Sequence, residues 1–534
     1  MFDKLLNKIK SQFELEKGLI AETYVKEKDS FLSKKYQENV DNLNKIFKEC
    51  SDVIFREFKL KLDKPIKATL IYLDGLVDRS TLQIQLIKSL MDVKNDKIEN
   101  PMTPKQRLEY LMNNDLIIGE VAEENDIYTL VNKVLSGEVV FFIENYDQAL
   151  IINARGWEAR GIQEPESESV IRGPREGFVE TLRFNTSMVR RRLKDPNLKI
   201  KMMTLGKKTN TDIALMYLQG IVKDEILEEV EKRLKTVNID GVFESGHLEE
   251  FIEDNFYSPF PQLVITERPD RVAGNLLEGR VSIIIDGSPM AIIVPATFAQ
   301  FYQSPEDYYE RSIFGTAVRT VRLFSFLIAT TATSLYVALV AFHQYLIPSD
   351  IVLSVAQSRV GVPFPTIIEA IFMEGVIELI REASIRLPGS IGQVIGIVGA
   401  LVIGQSAVQA KLASPILIII VAVSAIASYI VPQFSTSYSI RFMRFPMILA
   451  AGAFGALGIA MVWIWLLIHL CTLESFGQPY LAGAAPFRWS DLKDTVIRAP
   501  LWMMGTRPTS PENEDIDRLT GGKGDNDQDD AGQG

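Results

Sequence analysis

The sequence predicts an α/β soluble N-terminal region of two related subdomains, followed by an all-α polytopic membrane domain of four to five helices. Two observations carry that expectation. The uncharged, membrane-length runs all lie after residue 320, whereas the first 310 residues carry charge throughout. Within that first part, two strand-rich patterns recur at nearly the same interval.

Residues 1–60 read as a lysine-rich helical extension, because Phe2, Leu5, Leu6 and Ile9 recur at helical spacing. The start is charged and has no apolar core segment of the kind a signal peptide needs, so the soluble part is expected on the cytosolic side. The duplication follows. IKATLIYLDGLVDRSTLQIQLIKSLM, from Ile66, resembles DIALMYLQGIVKDEILEEVEKRLK, from Asp212: an apolar strand, then an amphipathic helix. LSGEVVFFIENYDQALIINARG, from Leu135, resembles LLEGRVSIIIDGSPMAIIVPATF, from Leu276, and each reads as a hairpin turning at Glu144-Asn145 or Asp286-Gly287. The expected subdomains are 61–157 and 205–310, joined by a helical bridge at 158–204. In the bridge, Arg190, Arg191 and Arg192 precede Pro196, the place where a helix C-terminus favours cations. They are candidates for that structural role, for an anion site or for an oligomer interface.

The membrane domain is expected over 311–475, with spans at Leu323–Phe342, Ile391–Ala410, Pro415–Val431 and Pro446–Leu470. Trp463 and Trp465 suit an aromatic belt. Between the first two spans, PTIIEAIFMEGVIELIREASIRLPG has helical apolar spacing but carries Glu369, Glu374 and Glu378. A charge at the bilayer centre costs roughly 2.5–3.5 kcal/mol on insertion scales. Such residues are tolerated in a protein contact or a wet cavity. Two readings stand: internal salt bridges (Glu378 with Arg381, Glu382 with Arg386), or a cation-attracting vestibule or gate introduced by Pro363 and Pro365. Excess Lys/Arg in the loops gives conflicting votes for four or five crossings. A juxtamembrane segment at 476–507 and a disordered acidic tail at 508–534, poor in apolar residues, complete the chain.

Catalysis is not expected. The sequence lacks a GxxxxGK[ST] phosphate loop, a GxSxG elbow and an HExxH pair. Two cysteines and three scattered histidines give no metal spacing, so no cofactor is expected. Asp286-Gly287 reads as a turn and His247 as a surface or capping residue. The net charge of −11 argues against nucleic acid as a partner. The remaining signal is IGQVIGIVGALVIGQSAVQA, where Gln405 and Gln409 share a helical face and Gln393 points elsewhere. Amides in hydrocarbon seek partners, and Gly392, Gly396, Gly399 and Gly404 permit close helix approach. Either this helix packs within one subunit, or copies ringed around an axis present Gln393, Gly396, Ile397, Gly399, Ala400, Gly404, Gln405 and Gln409 to an aqueous path.

Four long stretches carry a family resemblance: GPREGFVETLRFNTSMVRRRLKDPNLKI, ITERPDRVAGNLLEGRVSIIIDGSPMAIIVPATFAQFYQSPEDYYER, REASIRLPGSIGQVIGIVGALVIGQSAVQAKLASPI and LKDTVIRAPLWMMGTRP. Over roughly residues 60–507 the chain resembles the A subunit of GerA-type spore germinant receptors. The resemblance implies a multi-pass protein of the spore inner membrane. It also implies a transporter-like, nutrient-binding B subunit and a lipoprotein C subunit as partners. A homo-oligomeric ring, a pentamer, would contact membrane lipid and release monovalent cations. With a ring implied, the 391–410 helix is read as its pore wall. Alternatives are a non-conducting scaffold that transmits the signal, and an accessory channel like the SpoVAF proteins of dipicolinic-acid release, which share the membrane core. The ending FRWSDLKDTVIRAPLWMMGTRP is more similar to the receptor A subunits.

Overall fold

A computed structural model describes residues 31–61, 65–91, 106, 121–156, 164–165, 167–387, 399, 401–511, 513, 515 and 518. The apolar positions of residues 1–30, and the chain beyond 518, lie outside the described residues.

The duplication is visible as two five-stranded antiparallel sheets of identical strand order. The first runs β1-β2-β4-β5-β3 and the second β6-β7-β9-β10-β8. Each unit begins with a helix. In the first, α1 (Tyr36–Ile46) leads into β1 (Val53–Lys61) and β2 (Pro65–Leu73). A π-helical turn at Thr81–Ile87 continues as α2 (Lys88–Met91). Then come β3 (Val121–Glu124), α3 (Ile127–Leu135), β4 (Val139–Ile143) and β5 (Ala149–Ile152). The second repeats this plan with α4 (Leu182–Arg192), β6 (Leu198–Leu205), β7 (Thr211–Leu218) and α5 (Asp224–Thr236). It adds α6 (Ser245–Ile252), then closes with β8 (Val264–Thr266), α7 (Pro269–Leu276), β9 (Val281–Ile285) and β10 (Ala291–Val294).

Both unit boundaries therefore lie further upstream than the sequence pattern placed them. The stretch expected as an extension contains α1 and β1, and the expected bridge contains α4 and most of β6. The reason is physical. β1 alternates Lys and Arg with apolar residues at the sheet edge, so it lacks the continuous apolar run that marked β2. The hairpins fall where expected. Asn145 and Gly287 take positive φ values of 65° and 87°, which asparagine and glycine tolerate. Asp286 also accepts a hydrogen bond from the Leu182 amide at 3.0 Å, capping α4.

VVFFI and VSIII are buried at every position because helices cover both faces of each sheet. Alternate strand residues point to opposite sides. Phe141 and Val139 meet the Leu82–Leu90 segment, whereas Val140 and Phe142 meet α1 and α3. In the second sheet, Ile283 and Ile285 pack on α5 and α6, and Ile284 on α4 and α7. Each fully buried Ile or Phe of this kind contributes about 1.5–3 kcal/mol.

Arg190, one of the oligomer-interface candidates, is enclosed within the chain in a structural role. Its Nε and Nη2 donate to Asp52 at 2.9 and 3.0 Å, tying α4 to the loop before β1. Arg191 and Arg192 both donate to Glu176. The same loop adds Glu49–Ser51 to the exposed edge of β6 through the Ser51 amide and Ile200 carbonyl at 3.0 Å. That covers an edge that would otherwise be free to pair.

On α6, burial pushes the Glu249 carboxyl from 4.5 up to about 7, with Glu253 and Glu250 adding repulsion. The folded state thus holds this proton more tightly than the unfolded state. Its stabilising contribution is full below pH 4.5 and is lost as pH rises towards 7. Glu249→Gln is expected to flatten that part of the stability profile, measured by thermal unfolding between pH 4.5 and 8. An unchanged slope would refute it.

Candidate functional site: a charged helical bundle under the soluble module

Below the second sheet the chain enters α8 (Glu306–Tyr309) and the 30-residue α9 (Ser312–Ala341). α10 (Ser349–Ser358) and α11 (Thr366–Arg386) follow. Residues 401–409 are helical, then α12 (Pro415–Tyr429), α13 (Phe434–Phe454) and α14 (Ala456–Thr472) complete the bundle. The expected first span starts earlier, at Ser312. The expected span Pro446–Leu470 is not one helix. Gly455, at φ 62°, breaks it and folds α14 back on α13. Pro446 is accommodated inside α13. Pro365 is the N-cap of α11, and with Pro363 it stops the chain outside the helix rather than within it.

Among the described residues, α9 is the one helix long and apolar enough to cross a membrane; α12 and α14 are shorter apolar helices. α11 and α13 fall short because they carry charge, and the structure shows how that charge is held. Glu374 is 1% exposed in its side chain and Arg444 4%. Arg444 Nη1 donates to Glu374 Oε2, Thr333 donates to Oε1 at 2.7 Å, and Arg444 Nε donates to the Ala329 carbonyl at 3.0 Å. One level nearer the soluble module, Arg441 on α13 donates to Glu378 on α11 and lies over the Tyr438 ring. Arg381 donates to Ser428 at 2.9 Å and lies over Tyr429. Glu382–Arg386 forms the expected one-turn pair. Glu378 does not pair with Arg381 as one sequence reading had it: the cations come from α13. Glu369 differs from both. It is buried, accepts from Ser414 at 3.3 Å, and its Oε1 has no hydrogen-bond partner among the described residues.

Of the expected pore wall, Gln393, Gly396, Ile397 and Ala400 lie outside the described residues. Gln405 and Gln409 are exposed on the 401–409 helix while Ala407 packs into the bundle core. Among the described residues, a Cβ added at Gly399 meets nothing within 4 Å, and one at Gly404 meets only Ile418 Cγ2 at 3.9 Å. The glycines that do serve close packing are Gly452 and Gly458, where a Cβ would collide with Ile367 and with the Ala450 carbonyl.

Exposed aromatic residues occur at both ends of the bundle and also between them, at Phe372 and Phe442. Tyr429, Phe434, Tyr438 and Trp465 lie at the end facing the soluble module; Phe342, Tyr345 and Phe454 lie at the other. Tyr438 and Phe454 are about 24 Å apart at 1.5 Å per helical residue, close to a hydrocarbon thickness of about 30 Å.

Sequence reasoning missed the joint between the two parts. Asp307 on α8 accepts from Arg322 at 2.7 and 2.9 Å and from Arg319 at 3.1 Å. Arg319 also donates to Asp494 on α15 (Trp489–Thr495), at 3.0 Å. Burial pushes the Asp494 carboxyl up, although Arg319 pulls it down. The segment after α14 returns to the second sheet: the Tyr480 hydroxyl donates to the Pro261 carbonyl at 2.8 Å, and Ser475 to that of Gln262 at 2.7 Å. Residues 508–511, expected in a disordered tail, pack here too, with Thr509 held by Asp491 and the Ser510 carbonyl by Arg280. The signal was available as the Arg319/Arg322 spacing beside Asp307, but the second carboxylate, Asp494, comes from a segment 175 residues away.

A tandem α/β module is thus joined to an apolar helical bundle with paired internal charges. The chain belongs to the GerA family: residues 41–510 match the family described as Bacillus/Clostridium GerA spore germination protein. It is thereby a member of the germinant receptor A-subunit family of spore germination. Spore germination protein KA of Bacillus subtilis (strain 168) is 44% identical over 490 residues, covering 92% of this chain and 89% of that one. The uncharacterized membrane protein YfkQ of the same organism is 42% identical over 480 residues, 90% and 92% of the two chains. The crystal structure of the N-terminal domain of the A subunit of the Bacillus megaterium spore germinant receptor GerK3 is 33% identical, with a TM-score of 0.40, covering 50% of this chain and 98% of that one.

Proposed function

We propose that this chain is the A subunit of a nutrient germinant receptor of the spore inner membrane, with its N-terminal module on the core side. It assembles as a ring, a pentamer, whose 391–410 helices line a germinant-gated path for monovalent cations. A transporter-like B subunit binds the nutrient and a C lipoprotein completes the receptor. The observation that carries this reading is the exposure of Gln405 and Gln409 on the apolar 401–409 helix. Exposed amides on such a helix call for neighbouring copies or water. The two aromatic ends support a spanning bundle. Soluble-module contacts at both the start of α9 and the end of α14 favour an even number of crossings.

Gly399→Leu tests it. With no described residue within 4 Å of a Cβ at Gly399, the variant is expected to fold and insert normally, while cation release from germinating spores falls at least tenfold. Normal release, followed by potassium-selective electrode, would sink the pore assignment. The pairing of Glu374 and Glu378 within the chain favours a second reading, a non-conducting scaffold. Proteoliposomes holding all three subunits decide, because a scaffold shows no germinant-dependent flux.

A further inference from the structure

The loop after α6 carries two aromatic side chains that pack on nothing in the soluble module. Phe256 is 64% exposed and Tyr257 83%, their rings 3.8 Å apart. The flanking residues fix where this pair sits. Ser258 Oγ is 2.9 Å from His469 Nε2, one turn before the end of α14. The Pro259 carbonyl accepts from Ser439 near the start of α13. The loop is therefore pinned to the same end of the bundle as the exposed Tyr438 and Trp465, and it continues that aromatic ring outward under the second sheet.

We propose that Phe256 and Tyr257 insert into the headgroup region of the lipid bilayer and seat the second α/β subdomain on the membrane surface. Aromatic rings with one polar edge favour that depth. The contact is aromatic rather than electrostatic, because the adjoining Glu250 and Glu253 would repel an anionic surface. The seat constrains the subdomain relative to the helices, so its motion is transmitted to α13 and α14 rather than dissipated in the loop. This inference rests on the reading of the bundle as membrane-spanning.

The test is spin-label accessibility in the full chain, reconstituted in phosphatidylcholine vesicles. Cys471 is replaced by serine; Cys50 is buried and does not react. Nitroxides are placed at Phe256→Cys, at Tyr257→Cys as a second probe, and at Ile468→Cys, an exposed α14 position, as the membrane reference. The expected result is a label at 256 or 257 that oxygen reaches several-fold better than a water-soluble nickel chelate, as at 468. Free access of nickel at 256 and 257, with 468 shielded, overturns the lipid seat and leaves the spanning bundle intact. Spin–spin broadening at 256 and 257 on assembly also overturns it, assigning the surface to a second copy. Nickel access at 468 overturns the membrane reading itself.

Discussion

Arg444→Ala is expected to be the most damaging single substitution in the bundle. The guanidinium satisfies Glu374, the Ala329 carbonyl and, at 3.4 Å, the Ser424 carbonyl, so it holds α9, α11, α12 and α13 together. Removing it leaves a carboxylate that is 1% exposed without its cation. Deleting one partner of a buried pair costs about 3–5 kcal/mol, a large part of the stability of most proteins. The variant should accumulate poorly and unfold at a clearly lower temperature in detergent. The double change Glu374→Leu, Arg444→Met should recover most of the loss, because an apolar replacement leaves no unpaired charge. A double variant as unstable as the single one would show that the site is held by shape rather than by charge pairing.

This pair also marks what the sequence could and could not reveal. The carboxylates of α11 stood out as charges within an apolar period, and their need for partners followed from solvation alone. Which cations answer them did not. Arg381, three residues from Glu378, was the local candidate, yet the pairing goes to Arg441 and Arg444 on α13, 63 and 70 residues from their partners. The break at Gly455 gave no warning either, since glycines are common within membrane helices. The hairpins, by contrast, were legible because their turns need positive φ at Asn145 and Gly287 and their strands are covered on both sides. β1 and α1 escaped notice because an edge strand with alternating lysines looks much like the lysine-rich helix before it. The glutamine helix was legible as an anomaly, and Gln405 and Gln409 are exposed on it.

Asp307→Asn should separate the soluble module from the bundle more effectively than any change within either. One carboxylate, 3% exposed, neutralises two arginines of α9 that are 2% and 8% exposed. An amide keeps one acceptor and turns a donor towards the guanidinium groups, so Arg322 loses its counter-charge and Arg319 is left with Asp494 alone. Asp494 cannot substitute for it. Burial already weakens the hold of that carboxyl on its charge, and it reaches Arg319 but not Arg322. The loss should again be about 3–5 kcal/mol, but concentrated where α8 meets α9. Each half has an apolar cluster of its own, and Met443, Leu466 and Leu470 also share a cluster with the second sheet, so the expected signature is not global collapse. Unfolding should split into two transitions, with faster tryptic cleavage after Arg311. Asp494→Asn should shift the midpoint by less, since it removes a weaker charge. If Asp307→Asn unfolds in one unshifted transition, the clamp is not what couples the two modules. A signal arriving at the second sheet would then pass through the other contacts: Ser258 and Pro259 with His469 and Ser439, and the returning segment at Ser475 and Tyr480, which bonds to Gln262 and Pro261 in the loop preceding β8.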